Sequence, residues 1–78
     1  MILPAHVRMA RAILNWSVRD LAERAGVNKN TVSRYETGHG IQSSSLASIE
    51  KVLKEAGIVF FEDDKVLGTG VGLKKRPR

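Results

Sequence analysis

The 78-residue chain has no cysteine. That excludes a disulfide framework, a thiolate-ligated metal and a cysteine nucleophile, and it fits a reducing cytoplasm. No apolar run approaches the ~18 residues that would span a bilayer. Met1-Ile2-Leu3-Pro4 has neither the basic start nor the long apolar stretch of a signal peptide, so the sequence predicts a cytoplasmic protein. Catalytic constellations are equally scarce. Glu62, Asp63 and Asp64 are consecutive and so cannot all converge on one reacting atom; they read as a solvated turn. No serine has a histidine and an acid at telling spacing, and Gly68-Thr69-Gly70-Val71-Gly72 is followed by no helix that could offer a phosphate its N-terminus. The expectation is a non-enzyme without metal or cofactor.

Acidic residues are few: 8 against 13 Lys and Arg, for a net charge of +5. Lys74, Lys75, Arg76 and Arg78 carry four of those five charges, which suits either a polyanionic partner or a solubilising end. Within residues 1–40, six bases (Arg8, Arg11, Arg19, Arg24, Lys29, Arg34) face three acids (Asp20, Glu23, Glu36). The basic surplus of the body therefore lies in its first half. A chain of this length makes one domain.

The helical signals crowd into that half. Pro4 suits a first turn, and Val7, Ala10, Ile13 and Leu14 recur at helical spacing, predicting a helix over 4–15 with His6, Arg8 and Arg11 off its apolar stripe. Ser17 then caps a second helix, with Asp20 three residues on as a capping box and Trp16 with Leu21 as a hydrophobic staple. Gly26 stops it. Asn28 caps a third helix ending near Glu36, with Val27 and Val32 as its staple and Val32 and Tyr35 on its inner face. Lys29, Asn30, Ser33 and Arg34 are left on the other face. Their side chains suit nucleic acid, because Arg and Lys pair with guanine and Asn with adenine, although the same residues would also make an ordinary solvated face. Two short helices joined by so tight a turn form a helix-turn-helix.

After Gly38, the serine run predicts a fourth helix capped by Ser43 or Ser44, with Leu46, Ile49, Val52 and Leu53 on its core face and Gly57 as its stop. His39 is a lone histidine in a glycine-flanked loop, a phosphate contact or nothing more, and no second ligand lies near it. Ile58-Val59-Phe60-Phe61 and Val71-Gly72-Leu73 read as two strands of an antiparallel hairpin, with Glu62, Asp63, Asp64, Gly68 and Gly70 supplying the turn. Ile58 and Phe60 fall on one face, Val59 and Phe61 on the other. Both faces are apolar, so Val59 and Phe61 are candidates for a dimer interface; a monomer whose hairpin completes the core is the alternative.

The run Arg11-x5-Ser17-x3-Leu21-Ala22-x3-Gly26-Val27-x4-Val32-x2-Tyr35-Glu36-x-Gly38 resembles the phage repressor and Cro-type (Xre) DNA-binding domains over roughly residues 5–57. The resemblance implies a mostly α, lambda-repressor-like four-helix domain over 1–57, to which the strand and charge patterns add a β-hairpin extension over 58–75 and a basic tail over 74–78. It also implies that the third helix enters the major groove of double-stranded DNA while the second lies across the backbone. Carried over by position, Lys29, Asn30 and Arg34 match base-reading residues. Ser17 and the turn after Gly38 match phosphate-holding places; Arg19, Thr31, Ser33, Ser43 and Ser44 join them as phosphate candidates. Arg11 and Glu36 match a structural ion pair. One departure is Val18, where the family usually carries a phosphate-contacting glutamine; Arg19 is the nearest substitute. The implied function is a DNA-binding regulator, a repressor acting as a homodimer on a palindromic operator. An antitoxin that neutralises a toxin and binds DNA secondarily is the alternative.

Overall fold

The computed structural model describes residues 2–65 and 68–74, without the side chains of Asp63 and Asp64, so Lys75, Arg76 and Arg78 of the basic tail lie outside the described residues. Four helices are followed by a two-stranded antiparallel hairpin: α1 (Pro4–Leu14), α2 (Val18–Ala25), α3 (Lys29–Glu36), α4 (Ser43–Glu55), β1 (Ile58–Asp64) and β2 (Gly68–Leu73). This is the mostly helical, lambda-repressor-like arrangement that the resemblance implies. Among the described residues no helix is long and apolar enough to cross a membrane.

The helix ends follow local chemistry. Asn15 closes α1 in the left-handed conformation, at φ 57°, which a short polar side chain tolerates better than most. Ser17 Oγ accepts the Asp20 amide at 3.0 Å and Asp20 Oδ2 accepts the Ser17 amide at 2.9 Å, so the two side chains satisfy each other's backbone donors at the start of α2. These bonds, the backbone one foremost, hold the Asp20 carboxyl below its ordinary value. Gly26 closes α2 at φ 69°, and the Asn28 side chain accepts the Asn30 amide at 2.8 Å to open α3. The fourth helix departs from expectation. Neither Ser43 nor Ser44 caps it; Gln42 is the N-cap, with no side-chain cap bond, because helical bonding begins one residue earlier, with Leu46 N donating to Gln42 O at 3.0 Å. The serine hydroxyls are thereby left exposed on its first turn.

The core gathers one face of every helix: Val7 and Ala10, Leu21 and Ala22, Val32, and Leu46, Ile49 and Leu53, closed by Ile2 and Ile58. Val18 packs against this core, as do Trp16, Val27 and Tyr35. His6 is not on a polar face, where its position off the apolar stripe places it; it is 1% exposed. The hairpin explains the difference. Nδ1 accepts the Leu3 amide at 2.9 Å, so Nε2 bears the proton and donates it to the Phe61 carbonyl at 2.7 Å, while the ring meets Phe60 edge-on. With both nitrogens partnered, burial carries no unsatisfied polar atom.

The strands run further than their apolar cores. Ile58 pairs with Leu73, Val59 with Gly72, Phe60 with Val71 and Phe61 with Gly70, and a register shift then sets Asp64 opposite Gly68. Glu62, Asp63, Asp64, Gly68 and Gly70 are therefore strand residues, not the turn, because pairing continues across a bulge. Ile58, Phe60 and Val71 turn toward the helices. Val59 and Phe61 lie half-buried on the opposite face, where the Phe61 ring covers Gly72, 3.5 Å from the place a side chain would begin.

One ion pair ties α1 to the end of α3. Arg11 Nε donates to Glu36 Oε2 at 2.6 Å and Nη2 to Oε1 at 2.7 Å, while Nη1 donates to the Trp16 carbonyl at 3.0 Å. The Glu36 side chain is 7% exposed. Its hydrogen bond to Arg11 is the main reason the guanidinium is held above its already high ordinary value. Arg8 adds a bond to the Glu36 carbonyl. Arg11→Ala would leave a buried carboxylate with no cation, and thermal or urea unfolding should report a loss of about 3 kcal/mol. Asp20 makes a smaller, pH-dependent contribution of known sign. Its depressed carboxyl stabilises the fold above the ordinary value of 3.8 and stops doing so as the pH falls through the lower, folded-state value. Melting curves of Asp20→Asn should thus lie below those of the parent at neutral pH and approach them in acid.

Candidate nucleic-acid interface

The staple residue Val27 and the cap at Asn28 fix how α3 leaves the turn, and Val32 and Glu36 bury its inner side. At 100° per residue, Lys29, Ser33, Asn30 and Arg34 then occupy an outer arc of about 140°. All four are exposed. The first turn of α3 also presents its amides and the positive end of the helix dipole at Lys29 and Asn30, where anionic groups are favoured. Thr31 is half-buried at the border of this arc. Together with Arg34, Gly40, Ile41, Gln42 and Ser45 it lines a groove of about 360 Å³ between α3 and the start of α4.

The remaining site candidates surround this helix without all meeting in one place. Ser17 and Arg19 are exposed at the start of α2, with the Ser17 hydroxyl already accepting the Asp20 amide. Val18, between them in sequence, is half-buried against the core, so Arg19 is the exposed side chain of that first-turn pair. Ser43 and Ser44 are exposed on the opening turn of α4, beside the groove rather than in it. Arg11 and Glu36 sit behind α3 and face inward.

The six bases of the first half separate into two sets. Arg8 and Arg11 hold Glu36, and the Arg24 guanidinium lies 4.4 Å from the centre of the Trp16 ring. These three are engaged within the fold. The side chains of Arg19, Lys29 and Arg34 make no hydrogen bond or ion pair among the described residues, and all three are exposed.

Several contributors were hidden in the sequence. Gln42 and Ser45 line the groove beside Arg34, although only the serine run after Gly40 hinted at anything there. The end of α3 is fastened by Thr37, whose hydroxyl donates to the Arg34 carbonyl at 2.9 Å, with His39 Nδ1 3.1 Å from the same hydroxyl. The Tyr35 hydroxyl donates to the Ile2 carbonyl at 2.6 Å, and burial raises its pKa. Polar residue types around α3 signal such contacts; Thr37 and His39 find theirs within a few residues, whereas the partner of Tyr35 lies far away in sequence.

No curated protein matches the chain. A family model described as "Helix-turn-helix" matches residues 7–58, from the middle of α1 to the first residue of β1. That match takes in both helices of the motif, their turn, the Arg11–Glu36 pair and the whole of α4. The chain belongs to the Cro/Xre-type helix-turn-helix family of DNA-binding transcription regulators.

Proposed function

We propose that this protein is a sequence-specific repressor that binds a palindromic operator in double-stranded DNA as a homodimer, with α3 in the major groove. The observation that carries the reading is the division of its basic side chains: Arg8, Arg11 and Arg24 are held within the fold, while Arg19, Lys29 and Arg34 are exposed and unengaged on and beside α3. Cations kept out of internal pairs next to a capped helix start suit a phosphate backbone. In this reading Arg34, Lys29 and Asn30 meet base edges. Ser17, Arg19, Thr31, Ser33, Ser43 and Ser44 meet phosphates and set the docking angle, Arg19 doing so in place of a polar side chain at Val18.

Two-fold symmetry follows from size. One short helix reads few base pairs, and two copies reading half-sites about 34 Å apart multiply specificity without a larger domain. Val59 and Phe61, half-buried on the hairpin face turned from the helices, are the apolar surface this reading assigns to the second copy. Bound in this way, the protein represses by occupying its operator.

Selection of bound duplexes from a random pool at near-physiological salt tests the reading directly. A palindromic motif is expected; no enrichment by folded protein would refute sequence-specific recognition. On the selected site, Arg34→Ala should lose about 1–3 kcal/mol and relax preference at one base pair. Equal losses on specific and random DNA would remove Arg34 from base reading. Deleting residues 74–78 should instead weaken binding to all duplexes alike and flatten the dependence of affinity on salt, as expected for contacts to phosphate alone.

A further inference from the structure

His39, in the loop between α3 and α4, is exposed, whereas the chain's other histidine, His6, is buried with both ring nitrogens partnered. The loop folds back on the end of α3, with the His39 amide donating to the Arg34 carbonyl at 2.9 Å. The ring turns to the same carbonyl: Nδ1 lies 3.2 Å from it and 3.1 Å from the Thr37 hydroxyl. A carbonyl oxygen only accepts, and the Thr37 proton is already given to it at 2.9 Å, so Nδ1 carries a hydrogen that both oxygens share. Nε2 is left over. It has no hydrogen-bond partner among the described residues.

That assignment decides what the outer side of the ring can hold. With its hydrogen on Nδ1, a neutral ring offers only a lone pair at Nε2, and a phosphate oxygen offers only lone pairs in return. Contact needs a second proton, taken from solvent onto Nε2, after which the cationic ring donates to phosphate and keeps its Nδ1 bond. The surroundings favour that cation. The last carbonyls of α3 are the negative end of its dipole, and Nδ1–H points at one of them. The charged groups of the neighbouring elements are Arg34 and Glu36 on α3 and Arg8 and Arg11 on α1; α1 and the first turn of α4 hold no acid. The Glu36 carboxylate is taken by Arg11, and Arg8 bonds the Glu36 carbonyl.

We infer that His39 is a proton-dependent clamp on the DNA backbone: its imidazolium, anchored through Nδ1 on the end of α3, donates through Nε2 to a phosphate flanking the groove that α3 enters. DNA binding therefore takes up a proton at this residue. The inference rests on the reading above that puts α3 in the major groove. Gly38 and Gly40 stand on either side with open space where side chains would begin, so a phosphate can approach the ring closely. Histidine is the side chain whose ordinary titration range lies near neutrality, so this contact strengthens in mild acid, where an Arg or Lys would give a constant one.

The test is duplex affinity of the full chain at fixed ionic strength between about pH 5.5 and pH 8. Because a phosphate contact is sequence-independent, a selected site and a random duplex serve equally. Affinity of the parent should fall roughly tenfold per subunit as the pH rises, and calorimetry in buffers of different ionisation enthalpy should show proton uptake on binding. His39→Gln should bind weakly at every pH and take up no proton through this range. His39→Arg should bind well throughout, and unchanged melting temperatures would show both folds intact. A parent whose affinity ignores pH, or a dependence that survives in His39→Gln, would overturn the clamp and leave DNA binding standing. A folded parent that binds no duplex at any pH would overturn the DNA reading itself.

Discussion

The buried pair of Arg11 and Glu36 is the constraint on which the presentation of α3 depends. It joins the first helix to the last residue of the third by two parallel hydrogen bonds, and the same guanidinium also holds the carbonyl of Trp16, at the turn into α2. Three segments are thereby fixed by one side chain. A carboxylate this buried is costly without its cation, so the pair acts as a registration device more than as a source of net stability. Arg8 and Thr37 fasten the same helix end through the Glu36 and Arg34 carbonyls. The inner side of α3 is thus held while its outer side stays unencumbered.

That division of labour gives the positive charge its meaning. A net charge states only that a polyanion is a plausible partner, and half of the bases in the first forty residues prove to be bonded or stacked within the fold, Arg8 and Arg24 while still exposed. Arg24, stacked on Trp16, belongs to the packing of α2. Arg19, Lys29 and Arg34, which make no such contact among the described residues, lie on and beside the helix-turn-helix. Val18 illustrates the same economy from the other side: it packs against the core and leaves the polar work of that turn to its neighbours.

The hairpin contributes to the helical domain as well as extending it. Ile58 completes the core, and the Phe61 carbonyl accepts the proton that makes burial of His6 tolerable. On its outer face Val59 and Phe61 stand opposite Gly72 and Gly70, and the Phe61 ring lies over Gly72. The extension is therefore asymmetric, with one face committed to the fold and one edge open.

What the sequence determined by itself is what short-range chemistry decides. Ser17 with Asp20, Gly26, and Asn28 with Asn30 act within a few residues of one another, so the helix-turn-helix and its outward arc could be read from residue type and spacing alone. The two strands were legible from their apolar residues, but their extent was not, because pairing across the bulge depends on the partner strand. The start of α4 differs by one residue because several adjacent positions could have served as its cap, and the helical bonding that settles it begins at the Gln42 carbonyl. Tertiary structure alone decided that His6 is buried, that Arg24 belongs to Trp16, and that Gln42 and Ser45 line a groove with Arg34. Each of those outcomes needs a partner many residues away or on another element. Composition and periodicity describe what a residue prefers, and only the folded chain determines which preference is met.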